Sequence, residues 1–352
     1  MIFRIDSTRR HSSAALAGRS RLMIVLACLT LLAACDSRLE DQVELSGRTM
    51  GTTYSVKLVA WRGNPLTLQA TIDARLEAVN DLFSTYRPDS ELSQLNARQI
   101  DGPLAASDEL LAVLRLSREV HQMTEGAFDV TVGPLVNLWG FGPNGPRNGV
   151  PADEEISAAL GRTGFDRVSL GDGQVARPEG LYIDLSAIAK GYAVDEVAEL
   201  VEAAGALRYM VEIGGEVLVR GNNRHGEPWV IGLEAPDRTR RVLQRTLPLR
   251  NTGMATSGDY RNYFEHDGEI YSHTIDPKTG WPVTHRQASV TVLHPSTALA
   301  DGLATAFSVM GPEETQRLAE EMNLPVLAII READDYREVM SPAMQRYLEA
   351  DK

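Results

Sequence analysis

The sequence predicts an α+β protein of mixed, largely antiparallel sheets packed with helices, and not a Rossmann fold. Three observations predict it. Apolar residues alternate at period two over several short runs, many of them hairpin-like neighbours in the chain. Apolar residues at helical spacing mark helices interspersed among those strands. The one match to the dinucleotide fingerprint G-x-G-x-x-G runs from Gly140 to Gly145. It contains Pro143 and precedes Pro146, which forbid the regular helix whose N-terminus would receive a pyrophosphate. At 352 residues, 43% hydrophobic and 24% charged, the chain has an ordinary globular composition and enough length for one large domain or two.

The first 34 residues stand apart. Arg9, Arg10, Arg19 and Arg21 precede an apolar run, residues 22–34, ending in Leu32-Ala33-Ala34-Cys35. A basic stretch, a short apolar stretch and small residues before a cleavage point are the parts of a secretion signal. The run falls short of the about 20 residues that a spanning helix needs. Its ending resembles the bacterial lipobox, in which the cysteine becomes the diacylated first residue, and two acyl chains anchor stably; a plain signal peptide with a nearby cysteine is the alternative. Asp36 after Cys35 resembles an inner-membrane retention signal. The expectation is a protein lipid-anchored at Cys35 on the periplasmic face of the inner membrane, with residues 35–46 as a polar tether and residues 47–348 as the folded domain.

Charge and cysteine content narrow the function. There are 35 basic against 48 acidic residues, a net charge of -13. The signal is itself basic, so its removal leaves the remainder more acidic, and nucleic acid is excluded as a partner. The only cysteines are Cys28 and Cys35, which leaves the folded domain no thiol for a disulfide, a nucleophile or a Cys-based metal site.

In chain order, residues 53–61 alternate as a strand with Tyr54, Val56 and Leu58 on one face. Residues 67–82 carry Ile72, Leu76, Val79 and Leu82 at helical spacing, and residues 107–121 follow the same pattern after Ser107 as N-cap. Residues 139–151 are dense in Gly, Pro and Asn and form an irregular loop. A strand at 181–185, a helix at 187–204 and strands at 209–220 and 229–234 come next. The last third adds a strand pair within 260–271, a strand at 288–293, helices at 299–310 and 312–322, and a strand at 325–330.

Three runs carry the chemistry. In Ile183 to Tyr192, Asp184 ends an apolar run and Ser186 caps the helix that follows. Free N–H groups there suit an anionic ligand that Lys190 can also reach; a capped helix with an exposed lysine fits the same residues. Asp301 and Thr305 stand at i and i+4 of an apolar helix, where a carboxylate and a hydroxyl on one face share a hard cation or make local hydrogen bonds instead. His273 closes a strand before a Pro/Gly turn, a natural place for a general base or a structural histidine. Glycines in Thr124 to Asp129 and at Gly214-Gly215 admit close approach of a flat ring, or a bulge.

Taken together, eight ordered blocks resemble the ApbE-type FAD:protein FMN transferase family across nearly the whole mature chain. They are Met50 to Tyr54, Phe83 to Arg87, Gly126 to Leu135, Asp184 to Tyr192, Glu212 to Glu216, Ser257 to Tyr260, Ser272 to Pro277, and Ala300-Asp301. The resemblance implies a T-fold-related architecture and an enzyme that uses Mg²⁺ to split FAD. It implies transfer of FMN through a phosphoester bond to Thr or Ser of partner flavoproteins, with release of AMP. Met50, Tyr86, Ala127, Phe128, Asp129, Asp184, Lys190 and Ile275 correspond to the family's flavin-nucleotide contacts. Mg²⁺ would be held by the carbonyl of Ala187 and the side chains of Asp301 and Thr305, and His273 corresponds to the catalytic base. Position 187 is Thr in some relatives and position 190 acidic in others. Implied acceptors are subunits of Na⁺-translocating NADH:quinone oxidoreductase, Rnf-type complexes or other exported flavoproteins. The alternatives are an FAD pyrophosphatase giving free FMN and AMP, and a non-catalytic FAD-binding lipoprotein.

Overall fold

Strands whose inward side chains are Val, Ile, Leu and Tyr build the centre of the molecule, because their alternating faces must be buried on a common surface. The computed structural model describes residues 39–350 apart from 100, 101, 238, 239, 241, 261 and 334. The expected secretion signal and Cys35 lie outside the described residues, and no described helix is long and apolar enough to cross a membrane. All the elements below belong to one unit, Asp41–Lys352.

The chain opens with β1 (Gln42–Thr49), β2 (Thr52–Val59), α1 (Pro65–Phe83), α2 (Glu91–Ala97), β3 (Gly102–Ala105) and α3 (Asp108–Met123). Next come α4 (Gly133–Leu138), α5 (Asp153–Leu160), β4 (Ser169–Leu170), β5 (Gln174–Arg177) and α6 (Ala189–Ala203). Then follow β6 (Tyr209–Ile213), β7 (Glu216–Arg220), β8 (Trp229–Glu234), β9 (Leu243–Leu249), β10 (Gly253–Gly258), β11 (Tyr263–His266) and β12 (Glu269–Ser272). The chain closes with β13 (Gln287–His294), α7 (Thr297–Met310), α8 (Pro312–Glu321), β14 (Val326–Arg331), β15 (Tyr336–Met340) and α9 (Pro342–Glu349).

Eight strands form one sheet in the order β1-β2-β6-β7-β10-β13-β14-β15, every neighbouring pair antiparallel. One face, through Tyr54, Val56, Val211, Val290 and Ala328, packs on helices that contribute Ile72, Val194, Leu303 and Phe307. The other face carries Val217, Met254 and Leu293 under the β8–β9 hairpin and Met344 of α9. A smaller apolar cluster gathers Leu135, Trp139, Ile156 and Ile275 beneath the β11–β12 hairpin. The expected α+β class and the rejection of a Rossmann unit are both met: residues 139–151 form no regular helix.

Three local expectations are corrected. Residues 42–46, read as tether, belong to β1, where Leu45 is buried and the strand pairs with β2 along its full length; the polar letters of an edge strand hide its single inward stripe. Residues 181–185 make no strand. They run as a buried segment between Asn96, whose side chain bonds both the N–H and the carbonyl of Ile183, and Val130, whose carbonyl accepts the Asp184 N–H. The following helix starts at Ala189 without a side-chain cap. Ser186 turns to Asp184 instead, which accepts from its N–H and its hydroxyl.

Helices α6 and α7 lie unusually close. A Cβ at Gly191 would stand 2.3 Å from the carbonyl oxygen of Thr297. Asp195, one turn further along α6, accepts from the N–H groups of Thr297 and Ala298 and the hydroxyl of Ser296. It thereby satisfies the free donors that begin α7. Gly191→Ala should therefore destabilise the protein by about 1–3 kcal/mol through overpacking. Gly161→Ala, whose added Cβ meets only ordinary contacts at 3.5 and 3.7 Å, should change stability by no more than about 0.5 kcal/mol. Urea unfolding of the two variants checks the contrast, and equal midpoints would dissolve it.

Candidate active site

The clamp between α6 and α7 fixes the first part of the site. Lys190 leaves the first turn of α6, and Asp301 projects from α7 across the contact, its Oδ2 accepting the Gly191 N–H at 3.0 Å. Glu216 enters from β7, immediately after the two-residue turn Gly214-Gly215 of the β6–β7 hairpin. Both glycines have positive φ, 61° and 109°, as a tight hairpin turn requires. The Lys190 ammonium lies 2.8 Å from Glu216 Oε1 and 3.7 Å from Asp301 Oδ1. Glu216 Oε2 is buried with no hydrogen-bond partner.

Electrostatics follow from that enclosure. Burial pushes the Glu216 carboxyl up to about 7 despite the nearby lysine, with Asp301 adding to the rise. Burial likewise raises Asp301 above the usual carboxylate range, opposed by Lys190 and the Gly191 N–H. For Lys190, burial works downward, but the charges of Asp301 and Glu216 outweigh it and hold the ammonium above its ordinary range.

His273 follows β12. Its backbone N–H and its ring Nδ1 both engage the carbonyl oxygen of Asn262, at 3.1 and 3.0 Å. A carbonyl can only accept, so Nδ1 carries the proton and Nε2 keeps its lone pair. The ring packs edge-on against Phe141, centroids 6.2 Å apart. Burial lowers its pKa below the ordinary 6.5, with the Asn262 carbonyl and Asp259 pulling the other way. Asp259 is held by both guanidinium nitrogens of Arg331, one at 2.8 Å.

Lys190, Glu216, Asp301, His273, Asn262 and Phe141 line one cavity of about 420 Å³, within the size range of small-molecule sites. It brings together Tyr86, Ala127, Phe128, Asp129, Asp184, Ala187, Lys190, His273, Ile275, Asp301 and Thr305. Met50 stands elsewhere. It occupies the tip of the β1–β2 turn with φ of 48°, and lines an adjoining cavity of about 630 Å³ that also touches Tyr86, Ser186 and Lys190.

Two expected roles narrow. The Asp129 carboxylate is turned to the backbone, where it accepts from Thr131 N–H and hydroxyl and from Phe165 N–H. The start of α6 offers fewer free donors than expected, since Ala189 N–H bonds Leu185 and Gly191 N–H bonds Asp301. Glu216 and Asn262 were not singled out as site residues from the sequence. The signals for Glu216 are the glycine pair before it and its place in the block Glu212 to Glu216, and Asn262 has none.

Fold and cavity together define a non-Rossmann α+β enzyme with a neutral base, a buried ammonium and hard oxygen donors around one space. The profile described as the ApbE family matches residues 50–330. A Vibrio cholerae protein named FAD:protein FMN transferase is 48% identical over 93% of this chain and 98% of its own length. One of the same name from Haemophilus influenzae is 42% identical over 93% and 97%. The solved structure of the flavin transferase ApbE from Vibrio cholerae superposes with a TM-score of 0.81 at 46% identity, covering 87% of this chain and 99% of that one. The chain belongs to the ApbE family.

The lowered pKa of His273 has a direct consequence. Free imidazole is half protonated at about 6.5, so more than half of His273 should be neutral, and able to accept a proton, at pH 6.5 and above. Histidine NMR across pH 5–8, assigned with a His273→Gln control, should show its midpoint below 6.5; a midpoint above it would contradict the burial argument.

Proposed function

We propose that the chain is a Mg²⁺-dependent FAD:protein FMN transferase. It attaches FMN to a Thr or Ser hydroxyl of exported or membrane flavoproteins, such as subunits of Na⁺-translocating NADH:quinone oxidoreductase or Rnf-type complexes. The observation that carries this reading is the neutral His273 Nε2 on the same cavity as Lys190, Asp301 and Thr305. The shared name of two similar relatives supports it. Two cavities that share Tyr86, Ser186 and Lys190 suit a two-headed ligand with a charged centre, which a dinucleotide is.

The residues fit a hard divalent cation. Two buried carboxylates face one ammonium, and Glu216 keeps an unpartnered oxygen, so the enclosure has an excess of negative charge. No cluster of three or more His, Cys, Asp or Glu among the described residues can hold a metal alone. That suits Mg²⁺, which takes few protein oxygens and completes its shell with phosphate and water. Asp301, Thr305 and the Ala187 carbonyl would hold it. When bound it would offset the charge that develops on a pyrophosphate leaving group.

The chain's own residues supply the remainder. Nδ1–H of His273 stays on the Asn262 carbonyl while Nε2 takes the proton of the acceptor hydroxyl. The hydroxyl oxygen bonds to the FMN-side phosphorus, and the bond from that phosphorus to the bridging oxygen breaks, so AMP leaves with that oxygen. Lys190 lies where it can meet phosphate oxygens from both cavities.

Residues 1–34 direct export in this reading, and Cys35 anchors the protein to the periplasmic face of the inner membrane. Leu32-Ala33-Ala34-Cys35 supports it.

Incubation of the protein with FAD, Mg²⁺ and an acceptor subunit should add the mass of FMN less one water to one Thr or Ser of the acceptor. Free FMN and AMP without an adduct would point to hydrolysis, and bound FAD without AMP to a binding protein. His273→Ala should keep FAD binding and lose about 10²-fold or more in transfer, measured by covalent flavin fluorescence. Asp301→Ala should raise the Mg²⁺ concentration needed for half-maximal transfer; an unchanged titration would move the metal elsewhere.

A further inference from the structure

Glu216 is almost fully buried, 2% exposed, on the wall of the cavity, and the transfer chemistry does not use it. One of its oxygens holds the Lys190 ammonium at 2.8 Å and the other has no partner. Lys190 is the only cation that meets Asp301 Oδ1 among the described residues, and it stands off at 3.7 Å. The second Asp301 oxygen is committed to the Gly191 N–H. Thus Oδ1 is the oxygen Asp301 has left for a cation, and the ammonium beside it is a competitor for that oxygen.

We propose that Glu216 is a positioning residue that draws the Lys190 ammonium away from Asp301 and so keeps Asp301 open to a divalent cation. This rests on the reading of Asp301 as a cation ligand. Glutamine at 216 has the same shape but no charge. Lys190 would then have Asp301 as its only nearby anion among the described residues, and an ion pair between them must be broken before a metal can enter.

The test is Mn²⁺ affinity, read by electron paramagnetic resonance on the full chain with Mn²⁺ as the only probe and no turnover required. Glu216→Gln should weaken Mn²⁺ binding by about tenfold, and its crystal structure should show the Lys190 ammonium closed onto Asp301. The double variant Glu216→Gln/Lys190→Met, which removes the competitor, should recover the affinity. Unchanged Mn²⁺ binding in Glu216→Gln, a Lys190 ammonium that stays beside residue 216, or no recovery in the double variant would each overturn the proposal. Should Glu216→Gln fail to fold, Lys190→Met alone decides: it should bind Mn²⁺ at least as tightly as the parent, and weaker binding overturns the proposal. Asp301→Asn separates the two claims. Parent-like Mn²⁺ binding there removes the cation site itself, whereas loss there with full binding in Glu216→Gln removes only the role of Glu216.

Discussion

The close approach of α6 and α7 is the contact on which the site depends. Only hydrogen fits on Gly191 where it meets the Thr297 carbonyl, and Asp195 supplies the acceptors that the first turn of α7 lacks within its own chain segment. The same seam carries the Gly191 N–H to Asp301. One interaction therefore holds two helices in register and aims two side chains, Lys190 and Asp301, into a common space. Helix α7 cannot slide to relieve strain, because Leu303, Ala304 and Phe307 are fully buried within the principal core and interiors are packed to crystal-like density. Precision in the site is inherited from precision in the core.

That rigidity has an electrostatic cost. Enclosing two carboxylates with one ammonium leaves an uncompensated negative charge in a poorly solvated place, and the rise of Glu216 to about 7 expresses the penalty. Apolar residues of similar volume would usually be no less stable there. Such an arrangement makes physical sense where a ligand brings the missing positive charge, and it makes the site most comfortable when a cation occupies it. The neutral histidine across the cavity is tuned oppositely: burial disfavours its charged form, so it stays a base at neutral pH.

The sequence made the centre of this architecture legible and its edges illegible. Strands with strong alternation, such as Tyr54, Val56 and Leu58, and helices with apolar spacing, such as Ile72, Leu76 and Val79, appear where period and burial dictate. Residues 42–46 of β1 read as a tether because an edge strand needs only one inward stripe, and residues 181–185 read as a strand because an apolar run says buried without saying what pairs with it. Asn96, far away in the chain, settles that segment. The site shows the same division. The spacing i, i+4 picks out Asp301 and Thr305, and ordered blocks that resemble a family pick out most of the other residues that line the cavity. The Asn262 carbonyl that fixes the His273 tautomer and the solitary oxygen of Glu216 are products of tertiary approach, and no local pattern announces them.

A base does not by itself distinguish a protein hydroxyl from water, so a transferase must separate them by surroundings. The setting of His273 does so on one side. Its ring borders Phe141, which packs on Phe264, which stacks on Tyr271 at 5.1 Å, with Trp139 behind at 5.6 Å. Water at such a wall gives up hydrogen bonds that the aromatic faces do not return. A protein segment brings apolar groups that gain by covering the same wall, while its hydroxyl is delivered at high effective concentration. Preference for transfer over hydrolysis would then reside in the small aromatic core under the β11–β12 hairpin rather than in the imidazole, whose Nε2 lone pair accepts a proton from either hydroxyl.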